Sequence, residues 1–150
     1  AMMARLLDFA IAFTILLIVM LFYRMPIFTV TWLWLPLILL VQLLFTAGIG
    51  LVGAALNVFY RDIRHLFGLI LQLWLYASPI IYPVTAIPPQ FQPLYFLNPM
   101  AGILTAYRSV ILHSEPPGPY FWLATVISIV VFIGGYWFFR RVQRRFADVV

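Results

Sequence analysis

The chain has 150 residues, of which 65% are hydrophobic and only 9% are charged, and its mean hydropathy is +1.07. A soluble domain is about half apolar and about a quarter charged, and a small globule cannot bury so much apolar surface. The composition therefore requires lipid as solvent. The net charge of +5 comes from arginine alone. These arginines flank apolar runs, which favours a role in membrane topology over nucleic-acid binding.

Several chemistries are disfavoured by the residues that the sequence lacks. There is no cysteine, which excludes thiolate metal sites and disulfides, and His65 and His113 lie far apart, so we predict no metal site. No GxxxxGK[ST] motif occurs, so this chain is not expected to bind ATP, to hold a cofactor or to be an enzyme. The four acidic residues fall near predicted membrane boundaries rather than at the midplane, which disfavours a proton pathway. The opening Ala1-Met2-Met3 suggests that residue 1 is not the natural start, and no cleavable signal peptide is expected.

Charged residues and prolines divide the chain into four predicted transmembrane helices, which makes an all-α integral membrane protein with a single domain. The spans cover about 4–24, 32–60, 66–84 and 119–139, each close to the ~20 residues that a spanning helix needs. Pro36 falls in the first turn of the second helix, where the missing N–H costs little. Pro79 lies inside the third predicted helix and is expected to kink it, and Pro83 ends it.

The segment between the third and fourth spans predicts a shorter helix. Asn98-Pro99 is typical of a helix start, because asparagine caps and proline suits the first helical position. The following AGILTAYRSVIL carries Arg108 and has about a dozen residues, a length typical of re-entrant or interfacial helices. We therefore predict a re-entrant or interfacial helix at about 99–112 on the outer side of the membrane.

The distribution of arginine supports four spans rather than five. With four spans, both termini lie on one side, and the basic tail 140–150 joins the other arginines there. Only Arg24 and Arg108 fall on the opposite side. The positive-inside rule then predicts that both termini are cytoplasmic. The cytoplasmic set is Arg5, Arg61, Arg64, Arg140, Arg141, Arg144 and Arg145.

Gly48, Gly50 and Gly53 match the dinucleotide-binding pattern GxGxxG literally. The pattern lies inside a predicted membrane helix, with no preceding strand, so we reject a nucleotide cofactor. Small residues at this spacing favour the close approach of another helix.

Two charged segments each have two interpretations. The loop formed by Arg61, Asp62, Arg64 and His65 is either a solvated turn between two helices or a docking element for a cytosolic partner. The tail from Arg140 to Arg145 is interpreted as an anchor that is attracted to anionic lipid headgroups.

Aromatic residues cluster towards the predicted outer half of the chain. They indicate either an interfacial aromatic belt or a path for sugar rings, whose apolar faces pack on aromatic planes. The residues are Trp74, Tyr76, Tyr82, Tyr95, Phe96 and Tyr107.

Three stretches of the sequence resemble a known family. The stretches are LNVFYRDIRHLFGLILQLWLYASPIIYPVTAIP, LNPMAGILTAYRSVIL and FFRRVQRRFADVV. Together they resemble the ABC exporter permeases for O-antigen, capsule and teichoic-acid polymers. The ordered set LNVxxRD, SPxxYP and LNPxxG carries the resemblance, and any one of the three alone would be weak.

The resemblance implies a dimer of permeases in the bacterial inner membrane with two cytosolic subunits that hold ATP and Mg. It implies an undecaprenyl-linked glycan as cargo, and a contact with the ATP-binding subunit near Arg61–His65. It also implies a re-entrant helical hairpin of outer gate helices from about Ile87 to Leu112, with Pro79, Pro83, Asn98, Pro99 and Arg108 as gate or kink residues. The family has six spans, and this chain resembles spans three to six only, which suggests a fragment.

The function predicted from the sequence is therefore that of a permease subunit of an ATP-driven polysaccharide exporter. Two alternatives stay open, a related ABC exporter of drugs or small lipids and a membrane scaffold that transports nothing. A membrane-embedded enzyme is the weakest candidate, because the sequence shows no catalytic constellation.

Overall fold

The structure is a computed structural model that describes residues 2–59 and 62–147. Throughout these ranges the regular structure is helical, with no strand. Short 3₁₀ turns cover Val30–Trp34, Val84–Ala86 and Pro89–Phe91. The α-helices are α1 (Met2–Phe22), α2 (Leu35–Phe59), α3 (Ile63–Ala77), α4 (Gln92–Tyr95), α5 (Pro99–Leu112) and α6 (Pro119–Ala147).

Three helical segments in the described part of the chain are long and apolar enough to cross a membrane, namely Met3–Phe22, Val30–Phe59 and Pro119–Arg144. They correspond to the first, second and fourth predicted spans. The third predicted span corresponds to α3, which has 15 residues and is shorter than the ~20 residues that usually span. The all-helical fold is confirmed, and the fourth crossing stays a prediction.

The prediction of a kink at Pro79 is wrong, because α3 ends at Ala77. A residue that precedes proline is pushed out of the α region by the proline ring, and Ser78 is extended, with φ −103° and ψ 147°. Pro79 therefore follows the helix instead of bending it. Pro83 is also extended and precedes the turn Val84–Ala86.

The centre of the bundle is the crossing of α2 and α6, the most extensive contact between two elements in the described residues. A Cβ atom added to Gly48 would lie 2.8 Å from the backbone nitrogen of Phe132. One added to Gly135 would collide with the carbonyl oxygen of Gly48. Only glycine allows the two backbones to approach this closely.

The contacts of α2 and α6 also set their direction. The rings of Trp34 and Trp122, near the beginning of the two segments, are 6.2 Å apart. At their other ends, Phe59 and Arg141 line one cavity. The two helices therefore run in the same direction.

Helix α5 packs across the first halves of α2 and α6. A Cβ atom on Gly102 would lie 2.7 Å from the carbonyl oxygen of Tyr120. The hydroxyl of Thr31 donates to the carbonyl of Val110 over 3.2 Å. Both halves of α5 thus contact the same end of the bundle. The buried core at this end comprises Ile38, Val41, Ile103, Ala106, Val110, Phe121 and Ala124.

Helix α3 runs antiparallel to α2. The Phe67 ring lies 3.1 Å from the position of a Cβ atom on Gly53, and the rings of Phe45 and Trp74 are 6.1 Å apart. The end of α2, the start of α3 and the end of α6 therefore share one end of the molecule. We call it the basic end, and it carries Asp62, Arg64, His65, Arg140, Arg141 and Arg144. The opposite, proline-rich end carries Pro79, Pro83, Pro99 and Pro119.

Candidate transport site

The side chain of Asn98 joins two helices at the proline-rich end. Its Oδ1 accepts from the backbone N–H of Met100 and from the indole N–H of Trp74, both over 3.1 Å. Its Nδ2 donates to the carbonyl of Ala77 over 3.3 Å and to the hydroxyl of Ser78 over 3.1 Å. One asparagine thus caps the first turn of α5 and satisfies the last carbonyl of α3, and we call this contact the Asn98 joint.

Arg108 fixes the chain that follows α3. Its Nη2 donates to the carbonyl of Ile80 over 3.2 Å and its Nη1 to that of Tyr82 over 3.4 Å. Ser78 and Pro79 are buried. The segment 78–82 is therefore held between Asn98 and Arg108, which explains in physical terms why SPxxYP and LNPxxG occur together.

Two tyrosines form a polar pair beside this segment. The hydroxyls of Tyr82 and Tyr95 are 2.9 Å apart, and that of Tyr82 also donates to the carbonyl of Tyr76 over 3.1 Å. Burial, and then the hydrogen bond with Tyr82, raise the pKa of the Tyr95 phenol well above its usual value. The Tyr95 phenol therefore stays neutral, and the pair can exchange hydrogen bonds with other hydroxyl groups.

The aromatic side chains predicted to line a glycan path do not all lie together in this chain. Trp74 lies between α2 and α3, and exposed Tyr76 precedes the end of α3. The hydroxyl of Tyr107 donates to Oε1 of Gln42 over 2.8 Å, on the side where α1 contacts the bundle. Among these side chains in the described residues, Tyr95 pairs directly with Tyr82 and with Phe96, whose ring centre is 6.0 Å away. Helix periodicity alone could not show that Trp74 and Tyr107 serve different interfaces.

A groove of about 580 Å³ runs along α3 on the side of α2. Gly50 lies in its wall, and a Cβ atom there would have no heavy atom within 4 Å. Gly50 therefore does not mediate the close helix packing predicted for it, whereas Gly48 lies at the α2–α6 crossing and Gly53 lies under Phe67. The groove is lined mainly by apolar side chains, with Asn57 and Arg64 at the basic end.

The predicted contact loop lies at the basic end, and its Arg61 is outside the described residues. Asp62 is the N-cap residue of α3, and its carbonyl accepts from the backbone N–H groups of His65 and Leu66 over 3.1 and 3.2 Å. The side chains of Asp62, Arg64 and His65 are exposed. Within the described ranges these three side chains make no ion pair, so they are available to a partner.

The basic tail continues α6 without a break as far as Ala147. The guanidinium of Arg140 lies 5.7 Å from the centre of the Tyr136 ring, and that of Arg141 lies 5.0 Å from the Trp137 ring. Aromatic rings at a membrane–water boundary, followed by cations, are typical of an interfacial anchor. Residues 148–150 lie outside the described part.

Two glycines of the packing core escaped the sequence analysis. Gly102 is the last residue of the LNPxxG motif, and Gly135 belongs to the pair Gly134-Gly135 in a span. The position of Gly102 in a motif, and the pairing of Gly135 with a second glycine, could have indicated close helix packing. Their partners, Tyr120 and Gly48, could not be known without the tertiary structure.

An all-helical bundle with three apolar helices of spanning length defines a membrane-embedded protein. Residues 2–112 match the family model described as ABC-2 type transporter. The chain therefore belongs to the ABC-2 type transporter family, which confirms the resemblance drawn from the motifs.

Individual relatives give a finer comparison. The chain is 28% identical over 123 residues to an O-antigen export system permease protein RfbA of Klebsiella pneumoniae, covering 81% of this chain and 48% of that protein. It is 29% identical over 118 residues to the RfbA permease protein of Myxococcus xanthus, covering 77% and 45%. The chain thus spans about half the length of the curated relatives it matches.

Proposed function

We propose that this chain is part of the permease of an ATP-driven exporter that moves a lipid-linked polysaccharide across the bacterial inner membrane. The cargo class is O-antigen, capsule or teichoic acid, carried on undecaprenol. The observation that carries the proposal is the similarity to O-antigen export permeases along 81% of the chain. The residues of the Asn98 joint, which belong to the motifs that suggested the family, support it.

The proposed topology has four crossings, with the basic end and both termini in the cytoplasm. Parallel α2 and α6, with α3 antiparallel to them, fit this arrangement if α5 stays within the outer half. Helix α3 is only 15 residues long, or about 22 Å. The segment that follows it begins with buried Ser78 and Pro79. It would complete the outer part of this crossing, because Arg108 satisfies the carbonyls of Ile80 and Tyr82.

A cytosolic subunit holding ATP and Mg would act on the basic end. We assign its contact to Arg61, Asp62, Arg64 and His65. A push at this end would travel along α3, which lacks buried residues and is free to shift. It would reach the Asn98 joint, so the outer segment would move with α3.

The outer gate is proposed to be the segment from Ser78 to Leu97 rather than α5 itself. Helix α5 buries seven of its 14 residues, so a swing of the whole helix would break the core. Pro79 lies in a turn and Pro83 is extended, so neither continues α3 into the moving segment. Pro99 and Arg108 anchor that segment to α5. Exposed Tyr76 and the Tyr82–Tyr95 pair would meet the sugar. A second permease copy would supply the facing wall.

Deletion of this coding region in the organism that carries it tests the proposal. Intact cells should lose the surface polysaccharide while the lipid-linked polymer accumulates inside, and the wild-type gene should restore export. Immunolabelling before and after permeabilisation measures both pools.

The outcome also separates the alternatives. Unchanged surface polymer with lost export of a small lipid or a drug would replace our proposal with the related exporter class. Unchanged export of every cargo, without a co-purifying ATP-binding subunit, would leave a membrane scaffold.

A further inference from the structure

The groove between α2 and α3 shares Arg64 with the proposed contact to the ATP-binding subunit and shares Trp74 and Ser78 with the Asn98 joint, but the export proposal assigns nothing to its apolar interior. It extends from Arg64 at the basic end to Ser78 at the other, and these 14 helical steps correspond to about 21 Å. Phe45 and Trp74 line the end near the Asn98 joint. The groove is therefore long, apolar and cationic at one mouth.

Small residues of α2 form the floor of the groove. Gly50 has free space where a side chain would stand, and Gly53 and Ala54 also line this wall. The apolar interior of the groove does not favour ordered water, because water between these side chains would lack the polar partners that it needs. In a bilayer, a hydrocarbon chain can fill the groove without leaving any polar group unpaired.

The mouth of the groove adds a preference for charge. Arg64 and Asn57 both line it and are exposed, and in the described residues neither side chain has a hydrogen-bond partner. A guanidinium offers a fork of N–H donors that matches a phosphate, and an asparagine amide adds two more donors. A phosphodiester in this position would bind both.

We infer that the groove binds one anionic phospholipid, with an acyl chain between α2 and α3 and its phosphate on Arg64 and Asn57. The bound chain supports α3, which otherwise rests mainly on α2. The lipid site does not depend on which cargo is exported, so lipid binding can fail while the proposed function holds, and the reverse.

Lipid binding to the full chain, delipidated in a neutral detergent, tests the inference. When either lipid is added back, native mass spectrometry should detect one bound phosphatidylglycerol per chain and much less phosphatidylcholine. Gly50→Leu, which fills the groove without a clash, should abolish retention. Gly134→Leu is the matched control, because Gly134 also has open space but does not line the groove, and it should bind like the wild type.

Arg64→Gln tests the headgroup contact. Since one arginine near a lipid surface contributes about 1 kcal/mol, the variant should bind phosphatidylglycerol about fivefold more weakly and should no longer distinguish it from phosphatidylcholine. Equal retention in the Gly50→Leu and Gly134→Leu variants would overturn the inference. So would equal binding of both lipids by the wild type, or a lipid-free dimer that Gly50→Leu dissociates, which would assign the groove to a second copy.

Discussion

The trio α2, α5 and α6 and the pair α1 and α3 are both rich in apolar residues but pack very differently. In the trio, backbones touch at Gly48, Gly102 and Gly135, and α5 alone buries seven residues. Helix α3 buries none, and among the side chains of α1 that the structure describes, Met20 alone is buried. Since lipid is as apolar as leucine, hydrophobicity does not join helices in a membrane, whereas close approach and hydrogen bonds do.

Both helices of the looser pair expose most of their large apolar side chains. In the first part of α1 these recur every three or four residues, at Met3, Leu7, Ile11, Ile15 and Ile18. A regular stripe of this kind is suited to lipid or to a partner helix. The trio is therefore a rigid scaffold, and the pair is the part that can move or be covered.

The largest expected effect is at the α2–α6 crossing. Gly48→Leu would drive a side chain into the backbone of Val131 and Phe132 and should cost at least about 3 kcal/mol of stability. Gly50 lies two residues further along the same helix, and a side chain there has open space. Gly50→Leu should therefore leave the stability almost unchanged. Thermal unfolding in micelles measures both variants, and equal losses would refute the close crossing.

The second largest effect is expected when a buried side chain of the trio is truncated and compared with an exposed one of α3. Ile103 is fully buried and Leu73 is 70% exposed. Ile103→Ala should destabilise by about 2 kcal/mol through lost packing, whereas Leu73→Ala should change stability by less than about 0.5 kcal/mol. Chemical unfolding in mixed micelles compares them. A similar loss in both would mean that α3 is as firmly packed as the trio.

The Asn98 joint should have an intermediate effect. Asn98→Ala removes a helix cap and the bonds to α3, and should cost about 1.5 kcal/mol. Asn98→Asp keeps the acceptor of the cap but loses the amide donors to Ala77 and Ser78. Hydrogen exchange should therefore speed up at the end of α3 in both variants, but at the start of α5 only in Asn98→Ala. Unchanged exchange at the end of α3 would disprove the joint.

The smallest effect is expected at the hydrogen bond between α5 and α2. Tyr107→Phe leaves Oε1 of Gln42 without its donor and should cost about 0.6 kcal/mol, typical of such bonds in membrane proteins. Tyr76→Phe is the control, since the exposed Tyr76 side chain should be replaceable at no cost. Equal stabilities of these two variants would show that the bond contributes nothing.

The sequence predicted the features that depend on local chemistry. Long apolar runs between charges predicted the three segments of spanning length. Asn98-Pro99 predicted the exact residue at which α5 starts. The end of α3 was missed, because the choice between a kink and a stop at Pro79 depends on distant partners. Asn98 and Arg108 supply those partners only in the folded chain. For the same reason, sequence could not show that Gly50 faces a groove while Gly48 meets α6.

The position of α5 relative to the membrane is the central claim, because the contact at the basic end and the outer gate both require it. The chain has no cysteine, so Gln90→Cys, Glu115→Cys and Gln143→Cys can each be labelled singly at an exposed residue. With a membrane-impermeant maleimide, the Gln90→Cys and Glu115→Cys variants should react in intact cells, and Gln143→Cys only after permeabilisation. Labelling of Gln90→Cys and Glu115→Cys from opposite sides would show that α5 crosses the membrane and would contradict the account.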